Sequence, residues 1–155
     1  MKDYVESIKI IIQSYEKIGL PCPSFEYFLE IYNRLFSKGI IKIFAAKYNS
    51  RIIGVRLGLC YNKTIYDWYA GSDLKFKDKY PNDFLPYKIL EWGINNGFSK
   101  FDFGGAGKPN IKYGVRDHKI KFGGELIEYG RFTKINKKIF YKIGEIGIKY
   151  IKKYI

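Results

Sequence analysis

Apolar residues recur at helical spacing near both ends of the chain and crowd into short, dense runs between them. Val5, Ile8, Ile12 and Tyr15 repeat every three or four positions, which predicts an amphipathic helix over about residues 2–18. GLPCPS (19–24) breaks it. Ser24 then suits the N-cap of a second helix, FEYFLEIYNRLFSKG, closed by Gly39. Three β-rich runs follow: IIKIFAAKY (40–48), RIIGVRLGLCYN (51–62) and TIYDWYAGS (64–72). The polar joints NS and NK between them suit two-residue hairpins, so the runs predict three successive antiparallel strands.

LKFKDKYPND (74–83) reads as a loop, with Asn82 or Asp83 capping a helix through FLPYKILEWGINNG. Leu85, Ile89, Leu90 and Ile94 form its apolar stripe, and Pro86 fits only in a first turn. Gly97 ends the helix and SKFDF (99–103) starts another strand. GGAGKPNIKYGVRDHK (104–119) reads as a long loop, IKFGGELIEYGRFTKI (120–135) as paired strand segments, and residues 136–155 as a final basic helix. That helix places Ile139, Ile143, Ile146, Tyr150 and Tyr154 at spacings of three and four. This order predicts an α/β fold of the α+β layer type. A single domain would carry a mixed, mainly antiparallel sheet flanked by helices, with helical N- and C-terminal segments.

Composition supports burial of a core: 46% of the 155 residues are hydrophobic and 19% aromatic, which argues against disorder. Charge changes the picture more. The net is +13, and residues 108–155 hold 13 Lys/Arg against 4 Asp/Glu. A basic C-terminal third favours an anionic partner such as RNA, a phosphorylated substrate or an acidic membrane surface, beside the plain reading of a solvated lysine face. Cys22 and Cys60 stand in no metal or redox motif and read as reduced thiols of a cytoplasmic protein. No run approaches the length needed to span a bilayer.

FDFGGAGKP (101–109) invites a phosphate-loop reading that its spacing denies. A nucleotide P-loop needs four residues between its glycines and a hydroxyl after the lysine, and here Pro109 follows Lys108. The glycines either shape a sheet bulge or let a substrate approach the backbone beside Asp102. Asp102 alternates with Phe101 and Phe103. It reads equally as a proton acceptor, a donor-orienting group, or a carboxylate pinning the loop by accepting its amides. In YGVRDHKIKFGG (113–124), Arg116, Lys119 and Lys121 offer a site for phosphate or carboxylate. His118 is the only histidine. That removes His-cluster metal sites, leaves a catalytic imidazole as the lesser reading, and supports no Ser/His/Asp triad with Ser72 or Ser99. No metal-ligand spacing occurs. Tyr66, Trp68 and Tyr69 can stack on a substrate or fill the core.

Taken in order, DWYAGSD, YPNDFLPYKILEWGINNGFSKFDFGGAG and YGVRDHKIKFGG resemble the FemAB-like branch of the GNAT-fold N-acyltransferases, related to the peptidoglycan-bridge aminoacyltransferases. The resemblance covers about residues 22–132. It divides a single GNAT-like acyltransferase domain over 1–155 into an N-terminal helix (1–21), the family region (22–132) and the basic C-terminal helix (133–155). It implies transfer of an activated acyl or aminoacyl group to an amine of a cell-envelope or sugar-linked precursor. Lys119 matches the lysine of the family's F-K-x-x-F-G element, near the transferred acyl group or the donor, and Asp102 matches its y-D-f-g-G strand, which makes these two the candidate catalytic residues. Tyr69, Gly71, Ser72, Gly104, Gly105, Phe122 and Gly123 match its substrate-binding segments, and Arg116 and Lys121 add anion affinity.

No cofactor is implied as tightly bound, and the donor is acyl-CoA or aminoacyl-tRNA. The usual Q/R-x-x-G-x-G/A cradle for the CoA pyrophosphate is missing between the third strand and the next helix. His118 replaces the aromatic that usually precedes the lysine. Only one GNAT-like unit is present, where the peptidoglycan enzymes carry two, which leaves room for a homo- or hetero-oligomeric partner. Two other classes stay open. One is a noncatalytic RNA- or membrane-surface-binding module; the other is half of a two-subunit enzyme. The expected location is cytoplasmic, at the inner face of the membrane if residues 136–155 bind lipid.

Overall fold

The computed structural model describes residues 2–108, 110–130 and 132–151. Pro109, and the tail of the predicted last helix with Tyr154, lie outside the described residues. The chain divides into two units, Met1–Glu125 and Leu126–Ile155.

The first unit is a four-stranded mixed sheet between helices. Helix α1 (Lys2–Lys17) is followed by α2 (Phe25–Ile31), where the Ser24 side chain accepts the Tyr27 amide as predicted, and by a π-helical turn at Tyr32–Phe36. Strands β1 (Ile41–Tyr48), β2 (Arg51–Tyr61) and β3 (Thr64–Ser72) pair antiparallel in sequence order. Both hairpin joints, Asn49–Ser50 and Asn62–Lys63, place two successive residues at positive φ. This is the two-residue geometry whose twist matches that of the strands. A 3₁₀ segment (Leu74–Lys79) leads to α3 (Pro81–Asn95), which crosses to β4 (Lys100–Asp102), parallel to β3 at the sheet edge.

The sheet buries both faces. Ile8 and Ile11 of α1 and Phe28 of α2 close over Ile41, Ile52, Val55 and Leu57 on one side. On the other, Leu85 packs with Ile53, and Ile89 packs with Ile65 and Cys60. Strand β2 is therefore buried along nearly its whole length, which explains its continuous apolar run. Two glycines let helices sit close. A Cβ on Gly54 would lie 2.6 Å from the Pro81 side chain, and one on Gly71 would lie 2.7 Å from Ile11 Cα.

Several expectations need correction. Residues 114–119, expected in a loop, form helix α4 (Gly114–Ile120) together with Ile120, and no paired strand segment occurs among the described residues of 120–135. Gly123 and Gly130 take positive φ there, which interrupts the strand alternation suggested by the apolar pattern. Helix α3 begins at Pro81 with Tyr80 as N-cap, so neither Asn82 nor Asp83 caps it, and Pro86 lies beyond the first turn. In the second unit, α5 (Lys138–Ile151) is the predicted basic helix. Among the described residues no helix is long and apolar enough to cross a membrane.

Candidate active site

Strands β3 and β4 stay together for only three pairs, Thr64–Lys100, Ile65–Phe101 and Tyr66–Asp102. The break coincides with an irregularity in β3. Leu57 faces Tyr69 and Gly58 faces Asp67, so Trp68 is an extra, bulged residue. As a result the consecutive residues Trp68 and Tyr69 both pack toward the α1–α2 core. Beyond the break a cleft of about 360 Å³ opens between β3 and the segment after β4. Tyr15, Tyr66, Trp68 and Tyr69 give it an aromatic wall, Phe103 to Gly105 form the opposite rim, and α4 contributes Val115, His118 and Lys119.

Arg56 and Asp67 also line the cleft and form an ion pair between adjacent strands. Their side chains are only 10% and 6% exposed. Burial pushes the Asp67 carboxyl above its ordinary value, against the pull of the Arg56 and Lys119 charges. Among the described residues, Arg56 Nε and Asp67 Oδ1 of this pair are buried without partners. Charge this deep is costly unless paired, so the two residues depend on each other.

The glycine segment is held by helix α4. Gly104 takes φ +69° and donates its amide to Asp102 Oδ1 at 2.8 Å, which is the loop-pinning role weighed for Asp102. Gly107, at φ +75°, lies so close to Tyr113 that a Cβ would come within 2.7 Å of its ring. From α4, Arg116 donates through Nε to the Ala106 carbonyl at 2.8 Å and through Nη2 to that of Lys108. Lys119 Nζ donates to the Phe103 carbonyl and, at 2.8 Å, to that of Gly105. The two basic side chains thus hold four carbonyls of one segment. Burial lowers the Lys119 pKa, with Asp67 and Asp102 opposing that shift and Arg56 reinforcing it. An ammonium has three donors, so Lys119 keeps one beyond its two carbonyls.

Lys119, Tyr69, Gly104 and Gly105 therefore meet at the cleft, with Gly105 open to it. Asp102 and Arg116 support the rim from behind. Gly71 packs on α1, while Ser72 donates its amide to Ser14 and accepts from the Asn82 side chain, away from the cleft lining. Lys121 caps the end of α4, Phe122 packs its ring on Phe103 and on His118, and Gly123 turns the chain at φ +79°. Sequence reasoning missed Arg56 and Asp67. Their signal was a lone charge inside each of two otherwise apolar neighbouring strands. It also missed Asp83, whose Oδ1 lies 3.7 Å from His118 Nδ1. Among the described residues no group of acids, histidines and cysteines gathers as a metal site.

An open sheet that parts beside a bulge, flanked by helices on both faces, defines an acyltransferase-type α/β fold. A family model described as Acetyltransferase (GNAT) domain matches residues 15–119, and the chain belongs to that family. Among solved structures, the aminoglycoside N-acetyltransferase AAC(6')-Iy in complex with CoA is similar at 14% identity and TM-score 0.64, covering 88% of this chain and 91% of that one. The same enzyme with the bisubstrate analog CoA-S-monomethyl-acetylneamine gives 14% and 0.63, covering 88% and 94%. The aminoglycoside acetyltransferase meta-AAC0020, from an uncultured soil metagenomic sample and bound to sisomicin, gives 14% and 0.55, covering 86% and 90%. These likenesses are of fold. No curated protein matches the chain by sequence.

Proposed function

We infer that the protein is a FemAB-like N-acyltransferase that moves an activated acyl or aminoacyl group to an amine of a cell-envelope or sugar-linked precursor. The carrying observation is the parting of β3 and β4 at Trp68, which leaves unpaired strand backbone along a cleft floored by Arg56, Asp67 and Lys119. Attack of an amine on an acyl carbonyl builds negative charge on oxygen. Fixed donors and cations in a half-dry cleft stabilise that charge strongly. The remaining Lys119 donor and the Arg56 charge supply this, while the aromatic wall suits an acceptor with a ring face. Membership of the acetyltransferase family and the CoA complexes of the similar folds support the reaction class.

The start of α3 offers a carrier few free helix amides. A diphosphate there would seek free helix amides. Pro81 has none, the Asp83 and Phe84 amides donate to the Tyr80 carbonyl at 3.1 and 3.0 Å, and Asp83 adds a negative charge. Both acyl-CoA and aminoacyl-tRNA therefore belong in the assay. Mass spectrometry of the purified protein with each donor and a panel of amines should show acyl transfer to an acceptor. No transfer from any donor removes the reading.

A second observation bears on location. In α5, Lys138, Lys142 and Lys149 share one stripe, and Ile139, Phe140, Ile143 and Ile146 are exposed on the rest of the surface. That pattern suits a helix lying on an anionic lipid surface. Deleting residues 136–155 should abolish binding to phosphatidylglycerol vesicles; unchanged binding removes this reading.

A further inference from the structure

The cleft is walled from both faces of the sheet. Tyr15, Ile18 and Leu20, from α1 and the turn after it, stand beside Trp68 and Tyr69. Among the described residues, none that lines this half carries a charge. The other half is built by Arg56, Asp67, Pro86 and the α4 residues Val115, His118 and Lys119. Its charges are unequal. Two cations stand against one carboxylate, and Asp67 is only 6% exposed and already bonded to Arg56. Lys119 is only partly buried, so its charge is the one a ligand meets. Nearby acids do not alter this balance. Asp102 accepts the Gly104 amide, Asp83 lies beside His118, and neither lines the cleft.

We propose that the cleft takes an acceptor with a single amine on a ring that carries no second cation, and turns polyamines away. This rests on the acyl-transfer reading above and names its substrate class. An ammonium leaving water needs a carboxylate, a carbonyl or an aromatic face. The aromatic wall can serve one. A second would find no free carboxylate in the lining, and Lys119 faces the same space, where like charges repel more strongly than in water. The chain's net charge of +13 adds to that field. For the amine that reacts, the field is useful: a neighbouring cation favours its neutral form, which is the nucleophile. An acidic group elsewhere on the ring is attracted. Tyr66 lines the cleft and is 37% exposed, so its ring is available to the flat face of such an acceptor. Selection here comes from what the site repels as much as from what it binds.

The test compares chitobiose, which has two free amines, with its mono-N-acetylated form, which keeps the two rings and loses one cation. NMR titration and acyl-transfer kinetics should both favour the monoamine, by about fivefold at low ionic strength, and the gap should narrow in high salt. Glucosamine 6-phosphate should likewise bind more tightly than glucosamine. Ile18→Glu and Val115→Glu each place a carboxylate in one half of the cleft, at positions 65% and 46% exposed where folding tolerates the change. Each should erase or reverse the preference, whereas Ile18→Gln and Val115→Gln should keep it. Four results overturn the proposal: wild type handling chitobiose as well as the monoamine, a preference indifferent to salt and to both Glu variants, Gln controls that act like their Glu counterparts, or no binding of either sugar. The first of these, seen with turnover, leaves the acyl-transfer reading intact. Ordered binding without transfer from any donor removes that reading and leaves the charge selection standing.

Discussion

Lys119 reaches from α4 across the cleft to the carbonyl of Gly105, 2.8 Å away, and also donates to that of Phe103. Charge-assisted bonds of this kind contribute about 1.5–3 kcal/mol each, so the lysine both fixes the rim and sets a positive charge beside it. Replacing Lys119 with Ala should reduce kcat/KM at least tenfold and lower the melting temperature. A loss under about threefold, less than ~0.7 kcal/mol, would exclude Lys119 from both roles.

Arg116 acts on the same segment but faces away from the cleft lining. Its fork spans the Ala106 and Lys108 carbonyls, a geometry a single ammonium cannot copy. Arg116→Lys should raise KM more than it lowers kcat, because the rim loosens while the reacting groups stay. Equal kcat and KM values for variant and wild type in steady-state assays would count against a positioning role.

The Arg56–Asp67 pair makes a prediction about stability and its pH dependence. Arg56→Met leaves a buried carboxylate alone and should cost about 3–5 kcal/mol in urea unfolding near neutral pH. Removing both charges, with Arg56→Met and Asp67→Leu together, should cost less than the single change. Burial raises the folded-state pKa of Asp67, so the folded chain binds that proton more tightly than the unfolded chain does. Stability from this group therefore falls as pH rises from the ordinary carboxyl range through the raised value. Without Arg56 the window extends upward, and the Arg56→Met penalty should shrink in mildly acid buffer. A penalty independent of pH would show that Asp67 does not titrate as described.

Two glycines should respond in opposite ways to the same change. A methyl on Gly71 meets the backbone of α1 at 2.7–2.9 Å, and backbone cannot swing aside. Gly71→Ala should separate α1 from β3 and destabilise by about 1–3 kcal/mol, as overpacking does. A methyl on Gly105 meets nothing within 4 Å and projects from a residue that lines the cleft. Gly105→Ala should leave the melting temperature nearly unchanged and raise KM. Thermal melts and kinetics on the two variants separate the outcomes.

The sheet and its helices were legible because α1 follows the helical period, β1, β2 and β3 are dense apolar runs, and the joints NS and NK carry residues that tolerate positive φ. Helix α4 was not legible. Its seven residues include a glycine and an aspartate, and its order comes from Arg116 and Lys119 binding carbonyls supplied by a different segment. Lys119, Gly104 and Gly105 could be singled out because chemistry-bearing residues cluster locally in sequence. Asp67 offered only the signal of a charge inside an apolar run, since its meaning depends on Arg56 across a strand pair and on a bulge that no alternation pattern announces. Asp102 illustrates the limit from the other side: an acid between two phenylalanines admits several readings, and the 2.8 Å bond it accepts from the Gly104 amide is not visible in that alternation.

The extra residue at Trp68 puts two consecutive side chains of β3 on one face. Tyr69, beyond it, packs against Phe28 and Tyr15, and Gly71 fits under Ile11. Excising Trp68 would restore a regular ladder in which Tyr69 follows Asp67 in simple alternation, so each of these residues would keep the face it has. The tyrosine would stay in the core and the glycine would still receive the helix, but the local irregularity beside which β3 and β4 part would be gone. A single codon thus separates a regular strand from an irregular one, which makes the irregularity a property of counting rather than of any one side chain.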